Sequence, residues 1–171
     1  MAESSLPEVW LRGPLPGVPP LLQPVAHSLL QCREEIHATL MPLTVAQIVA
    51  RPGGAASIGY HVRHAIGSLD RLLTYARGEQ LSELQLDALA RERDGDDESP
   101  HLAQRLVAMY DAAVDRALEQ VRATSESTLR DAREVGRGKL PSTVIGLLFH
   151  AAEHTQRHAG QAVTTAKIVR G

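Results

Sequence analysis

The chain has 171 residues, and its 18 Lys and Arg against 20 Asp and Glu leave a formal net charge of −2. That is enough chain for one domain with its own core, and it leaves no basic stripe to hold a phosphate backbone, so nucleic acid is not expected as a partner. No apolar run reaches membrane-spanning length, MAESSLPEVW lacks the basic and apolar regions of a secretory signal, and Cys32 as sole cysteine excludes a disulfide framework, so a cytoplasmic protein without a membrane segment is expected.

Residues 1–24 hold Pro7, Pro14, Pro16, Pro19, Pro20 and Pro24, six of the ten prolines. Such a stretch continues as neither helix nor central strand. It reads as an extended arm over 1–20, with Trp10, Leu11, Leu15 and Val18 available to lie against the remainder. The rest, 21–171, reads as one helical domain. With one Phe, one Trp and three Tyr, its core must be built from Leu, Ala, Val and Ile.

The first helix is expected from about Leu21 to Leu40, on the repeat of Leu22, Val25, Leu29, Leu30, Cys32, Ile36 and Leu40, with Pro24 in its first turn and Pro42 ending it. Cys32 on that pattern reads as a packed thiol rather than a nucleophile. Thr44 caps a short helix, Val45 to Ala50, and Arg51-Pro-Gly-Gly breaks the chain. The second long helix starts at the Ser57 N-cap and runs through Arg77, with Gly78 beyond its end. Ile58, Val62, Ala65, Leu69, Leu72 and Ala76 form its seam. His61 lies near the centre of that seam and His64 near its edge.

Residues 79–99 are polar, and RERDGDDES reads as a solvated loop whose acids lack the ligand spacing of a calcium loop. Ser99-Pro100 opens a third long helix to about Ala123. TSESTLRDAREVGRGKL has little helical phase and can hold a short extended piece before Gly136–Gly138. The fourth long helix is expected from Pro141 to about Val169, with Val144, Leu148, Ala151, Ala152, Ala162 and Ala166 as its stripe. Four long striped helices and no clear strand pattern give an all-α fold, an antiparallel four-helix bundle carrying the Pro-rich arm.

No phosphate-cradling GxxxxGK[ST], no GxSxG and no HExxH occurs. What stands out is His150, His154 and His158 within FHAAEHTQRHAGQ. A four-residue interval stacks them on one helix face, with neighbours about 6 Å apart along the axis and the outer two about 12 Å. Nitrogens sharing one ion with bonds near 2.1 Å lie only about 3 Å apart. His154 therefore belongs to any chelating pair, with His150 or His158 as the other member. A third ligand must come from a facing helix, where His61 and His64 are the paired histidines. Three neutral imidazoles leave an ion open positions for water or substrate, the arrangement of a catalytic centre.

At these residues the chain resembles the DinB-like superfamily: SIGYHVRHAIGSLDRLLTYARG, followed much later by HAAEHTQRHAGQ, with the Ser57-to-His64 spacing and the terminal HxxxHxGQ as the most specific parts. The resemblance covers nearly everything after residue 20. It implies a four-helix bundle, often a homodimer, with a divalent ion, nickel or zinc foremost, held by His64, His154 and His158. His61 stands as second choice to His64, and His150 as a cleft residue. Gln161 could hydrogen-bond a ligand, and Tyr60, Arg63 and Arg71 are candidate substrate contacts. The superfamily includes metal-dependent hydrolases and thiol-dependent transferases and isomerases. The implied function is therefore activation of water or a low-molecular-weight thiol toward a small-molecule substrate. The competing expectation is a non-catalytic metal- or ligand-binding bundle with a stress or regulatory role.

Overall fold

The computed structural model describes residues 6–94 and 98–171. It is mostly helical. Four long helices, α1 (Gln23–Leu40), α3 (Ile58–Ala76), α5 (Leu102–Ala123) and α6 (Val144–Arg170), make the frame. Two shorter ones, α2 (Val45–Val49) and α4 (Glu83–Arg91), and a two-stranded hairpin, β1 (Ala132–Val135) with β2 (Leu140–Thr143), complete it. Helices α1 and α3 each pack on both α5 and α6. The core between them is aliphatic: Leu22, Leu29, Ile36 and Leu40 meet Ile58, Val62, Leu69, Val114, Val121 and Leu148, all with 2 % exposure or less. No helix of the described residues is long and apolar enough to cross a membrane.

Local chemistry sets the helix ends. Thr44 and Gln47 form a capping box on α2, Ser57 Oγ accepts from the Tyr60 amide at the start of α3, and Thr143 Oγ1 accepts from Gly146 at the start of α6. Gly78, at φ 81°, supplies the left-handed residue just past α3.

Inter-helix bonds give the directions. His61 and Ser68 of α3 meet His158 and His154 of α6, so these two run antiparallel. Arg33 and His37 of α1 meet Asp115 and Asp111 of α5, also antiparallel. Ser28 and Thr39 of α1 meet Gln156 and Arg170 of α6, which is parallel, and the C-terminal ends of α3 and α5 meet where Gln120 donates to the Leu73 carbonyl. A uniformly antiparallel arrangement is therefore corrected at two of the four packed pairs. The cause is the long connection from 77 to 101, which carries the chain back before α5 begins.

Four further expectations change. Inside the stretch read as a loop, Ser82 and Gln85 form a capping box on α4, and the Gln85 amide donates to Asp70 and Thr74 of α3. No residue of α4 is buried, so its periodicity is weak in sequence. Gly95, Asp96 and Asp97 of the acidic run lie outside the described residues. Pro141 does not open α6 but pairs with Glu134 in the hairpin, and α6 starts at Val144. α5 starts at Leu102 with His101 at the cap position rather than Ser99. The arm does lie on the frame, but through Val9, Leu15 and Val18, whereas Trp10 and Leu11 are 60 % and 57 % exposed. Polar bonds hold it: the Val9 amide donates to Gln31, and Arg12 pairs with Glu34.

Cys32 is fully buried, and burial pushes its thiol up to about 12. It is expected to resist a thiol-specific chromogenic reagent in folded protein and to react on denaturation. Fast labelling of the native chain would contradict the packed assignment.

Candidate metal centre

The Ser57 cap fixes the phase of α3, which turns His61 inward, 8 % exposed, and leaves His64 half-buried one turn on. Because α6 runs the other way along α3, His158 comes opposite His61, and His154 comes beside His64 and Ser68. The rings of His64, His154 and His158 then cluster, with centroids 4.5 Å apart for His64–His158, 4.6 Å for His154–His158 and 5.2 Å for His64–His154. One ring nitrogen from each lies within 4.8 Å of the other two. Nitrogens around one tetrahedral ion stand about 3.4 Å apart, so small side-chain rotations close the set.

The other ring nitrogens are engaged. His64 Nδ1 lies 2.7 Å from Glu92 Oε2, and a carboxylate only accepts, so the proton sits on Nδ1. Ser68 Oγ donates to the His64 carbonyl at 2.7 Å and so presents a lone pair to His154 Nδ1 at 3.2 Å. His158 Nδ1 faces His61 Nδ1 at 3.1 Å, a contact that holds one proton between two nitrogens. Each of the three clustered rings thus has a partner at Nδ1, which would leave Nε2 to a shared cation. This is the outer arrangement that orients imidazole ligands in metal sites, and the donor set fits a divalent ion.

Burial comes first among the causes that lower the basicity of His61, His154 and His158, followed by the neighbouring charge of His64; the His158 ring falls from 6.5 to about 4. Neutral imidazoles at neutral pH are what a cation requires. Burial alone would raise the Glu92 carboxyl, but hydrogen bonds from His64 and Arg71 overcome it and hold it below the usual range. The metal-free chain should lose stability as pH falls from 6.5 toward about 4, because the unfolded chain takes up protons that His158 and His154 in the fold resist. Circular-dichroism melts across that range check this, and a flat profile would contradict it.

A cavity of about 280 Å³ opens beside the cluster, lined by His64, Ser68, His150 and His154 together with Arg71, Leu72, Tyr75, Leu81 and Leu89. Leu81 and Leu89 come from the segment of α4, which thereby supplies an apolar wall. His150 sits at the rim, bonded to Glu153 at 2.6 Å. His61 stays outside the three-nitrogen set, against His158. Gln161 is exposed and makes no hydrogen bond to these rings among the described residues. Tyr60 stacks on His64, with centroids 5.6 Å apart and planes 6° from parallel. Arg63 donates to the Asp94 carbonyl, and Arg71, 9 % exposed, pairs with Glu92.

Glu92 and Ser68 are the functional residues that sequence reasoning missed. Ser68 follows His64 by four, so helical spacing already places it on the same face. Glu92 is reached only through α4, whose one sequence signal is the capping box of Ser82 and Gln85.

A mostly helical chain in which two antiparallel helices gather three half-buried histidines, each held from behind, defines a protein with a candidate three-histidine metal site. Residues 28–162 match the DinB superfamily, and the chain belongs to that superfamily. Among solved structures it is similar to the crystal structure of a conserved protein from Enterococcus faecalis, with 24% identity over 88% of this chain and 98% of that one and a TM-score of 0.69. That likeness is one of fold. No curated protein matches the chain.

Proposed function

We propose that this protein is a metal-dependent enzyme in which His64, His154 and His158 hold one divalent ion for hydrolysis or thiol transfer. The observation that carries the reading is the convergence of three ring nitrogens within 4.8 Å while each Nδ1 has a partner of its own. Its frame is a four-helix bundle of α1, α3, α5 and α6, supported by the packing of both α1 and α3 on α5 and α6. All-imidazole ligation suits zinc or nickel. A bound ion supplies Lewis acidity, which brings water or a thiol to its reactive deprotonated form near neutral pH.

The chain's own residues supply the rest. Glu92 keeps the His64 proton on Nδ1, Ser68 accepts from His154, and His61 shares the His158 proton, so the rings keep their orientation. Leu72, Leu81 and Leu89 shield one side of the cavity from water and offer contact to an apolar part of a small-molecule substrate.

Turnover of a panel of electrophiles by metal-loaded protein, with and without low-molecular-weight thiols, tests this. Wild type should turn over and His154→Ala should not. Equal rates would remove the enzymatic reading. One observation favours a second reading, a non-catalytic metal- or ligand-binding bundle. The carboxylate nearest the cluster, Glu92, is already committed to His64 and Arg71 and is not free to accept a substrate proton. Tight metal binding without solvent exchange at the ion would favour that reading.

A further inference from the structure

Gly67 sits in the interior of α3, where glycine is less favourable than alanine. Its φ is not positive, so backbone conformation does not require it. Space does. A Cβ built there would stand 2.5 Å from Glu92 Oε1, 2.8 Å from Arg71 Nη1 and 3.6 Å from Glu92 Cδ. The first two separations are closer than real Cβ atoms come, so both charged groups would have to withdraw. The body of α4 makes no such demand. A cavity of about 230 Å³ lies between them, lined by Gly67, Asp70, Arg71, Leu84, Gln85 and Ala88.

His64, Gly67 and Arg71 follow one another at intervals of three and four, which puts them on one face of α3. Glu92 lies across the middle of that face. Its Oε2 accepts the His64 Nδ1 proton and its Oε1 accepts from the Arg71 guanidinium. The Glu92 and Arg71 side chains are each only 10% exposed. Glu92 is also the C-cap residue of α4, a helix with no buried residue of its own. Burial of α4 therefore does not fix where this carboxylate lies. The gap at Gly67 and the charge of Arg71 do.

We propose that Gly67 and Arg71 are positioning residues for His64: the missing side chain of one and the guanidinium of the other seat the Glu92 carboxylate at His64 Nδ1. What the seat does for a bound ion rests on the metal-centre reading, while the seat itself can be tested without metal.

The test is Gly67→Ala, a change that favours the helix but fills the seat. Long-range proton–nitrogen spectra of isotope-labelled, metal-free protein above neutral pH report which nitrogen of His64 carries the proton. Wild type should show it on Nδ1, and Gly67→Ala should lose that pattern. Gly160→Ala is the control, because Gly160 is also inside a helix and has open space where its Cβ would go. It should match wild type. In chelator competition for zinc, Gly67→Ala should bind about 10–100-fold more weakly, the loss typical of a missing outer partner. Added to Glu92→Ala, it should cost nothing more, because there is no carboxylate left to displace. An Nδ1 proton retained in Gly67→Ala, an equal change in Gly160→Ala, or losses that add in the double variant would overturn the proposal. A proton pattern lost in Gly67→Ala while wild type binds no zinc would uphold the seat and remove the metal-centre reading.

Discussion

His154→Ala is expected to abolish stoichiometric metal binding. His154 neighbours both His64 and His158 in the cluster, and its removal leaves two imidazoles on facing helices. Losing a ligand should cost more than the roughly 10–100-fold typical of losing an outer partner. His158→Ala should do the same. His150→Ala is the control: its ring nitrogens stand outside the converging set and its bond is to Glu153, so the variant should keep full stoichiometry. Tag-free protein dialysed against zinc or nickel and measured by elemental analysis gives the answer. Metal retained by His154→Ala, or lost equally by His150→Ala, would mean that the ion sits elsewhere on α6. Melting curves of the metal-free variants exclude unfolding as the cause, because the replaced rings are half-buried rather than part of the aliphatic core.

Glu92→Gln is expected to weaken metal binding by about 10–100-fold without removing it. The carboxylate accepts the His64 Nδ1 proton and so raises the electron density that Nε2 offers a cation. An amide oxygen can still accept that proton but brings no charge. It also leaves Arg71, 9 % exposed, without its counter-charge. A buried charge left unpaired is costly, but α4 packs chiefly on α3 and has no buried residue, so the strain should first loosen α4. Hydrogen exchange should show faster opening of 83–91 in Glu92→Gln, with the four long helices unchanged. Competitive titration against a chromogenic chelator measures the affinity. An unchanged constant would show that Glu92 has only a structural part.

The long helices were legible because their signals are local: the cap at Ser57, Gly78 past the end of α3, and aliphatic stripes at helical spacing. Of the hairpin only the first strand was, as the short extended piece before Gly136; its partner was not, because a four-residue strand holds too few positions to show a period and Pro141 at a strand position imitates a helix start. Helix α4 was hidden by having nothing to bury: Leu84, Leu86 and Leu89 are 81 %, 39 % and 41 % exposed, so its apolar face does not read as a core face. The directions of α1 against α6 and of α3 against α5 depend on that same connection. At the site, four-residue spacing alone made His154 indispensable but left its partner and the α3 residue open. The seam favoured His61, and the structure indeed buries it. It is His64, at the seam's edge, that meets both α6 rings, because a ring at the centre of a packed stripe is held against one neighbour. Glu92 could not be foreseen, since a residue 28 positions from His64 reaches it only once α4 is folded.

Anomalous diffraction from crystals of zinc-loaded protein tests the central claim most directly. The expected result is one strong peak per chain, about 2.1 Å from Nε2 of His64, His154 and His158, with Glu92 behind the first of them. A peak held by His61 or His150 instead, or no peak between α3 and α6, would contradict it.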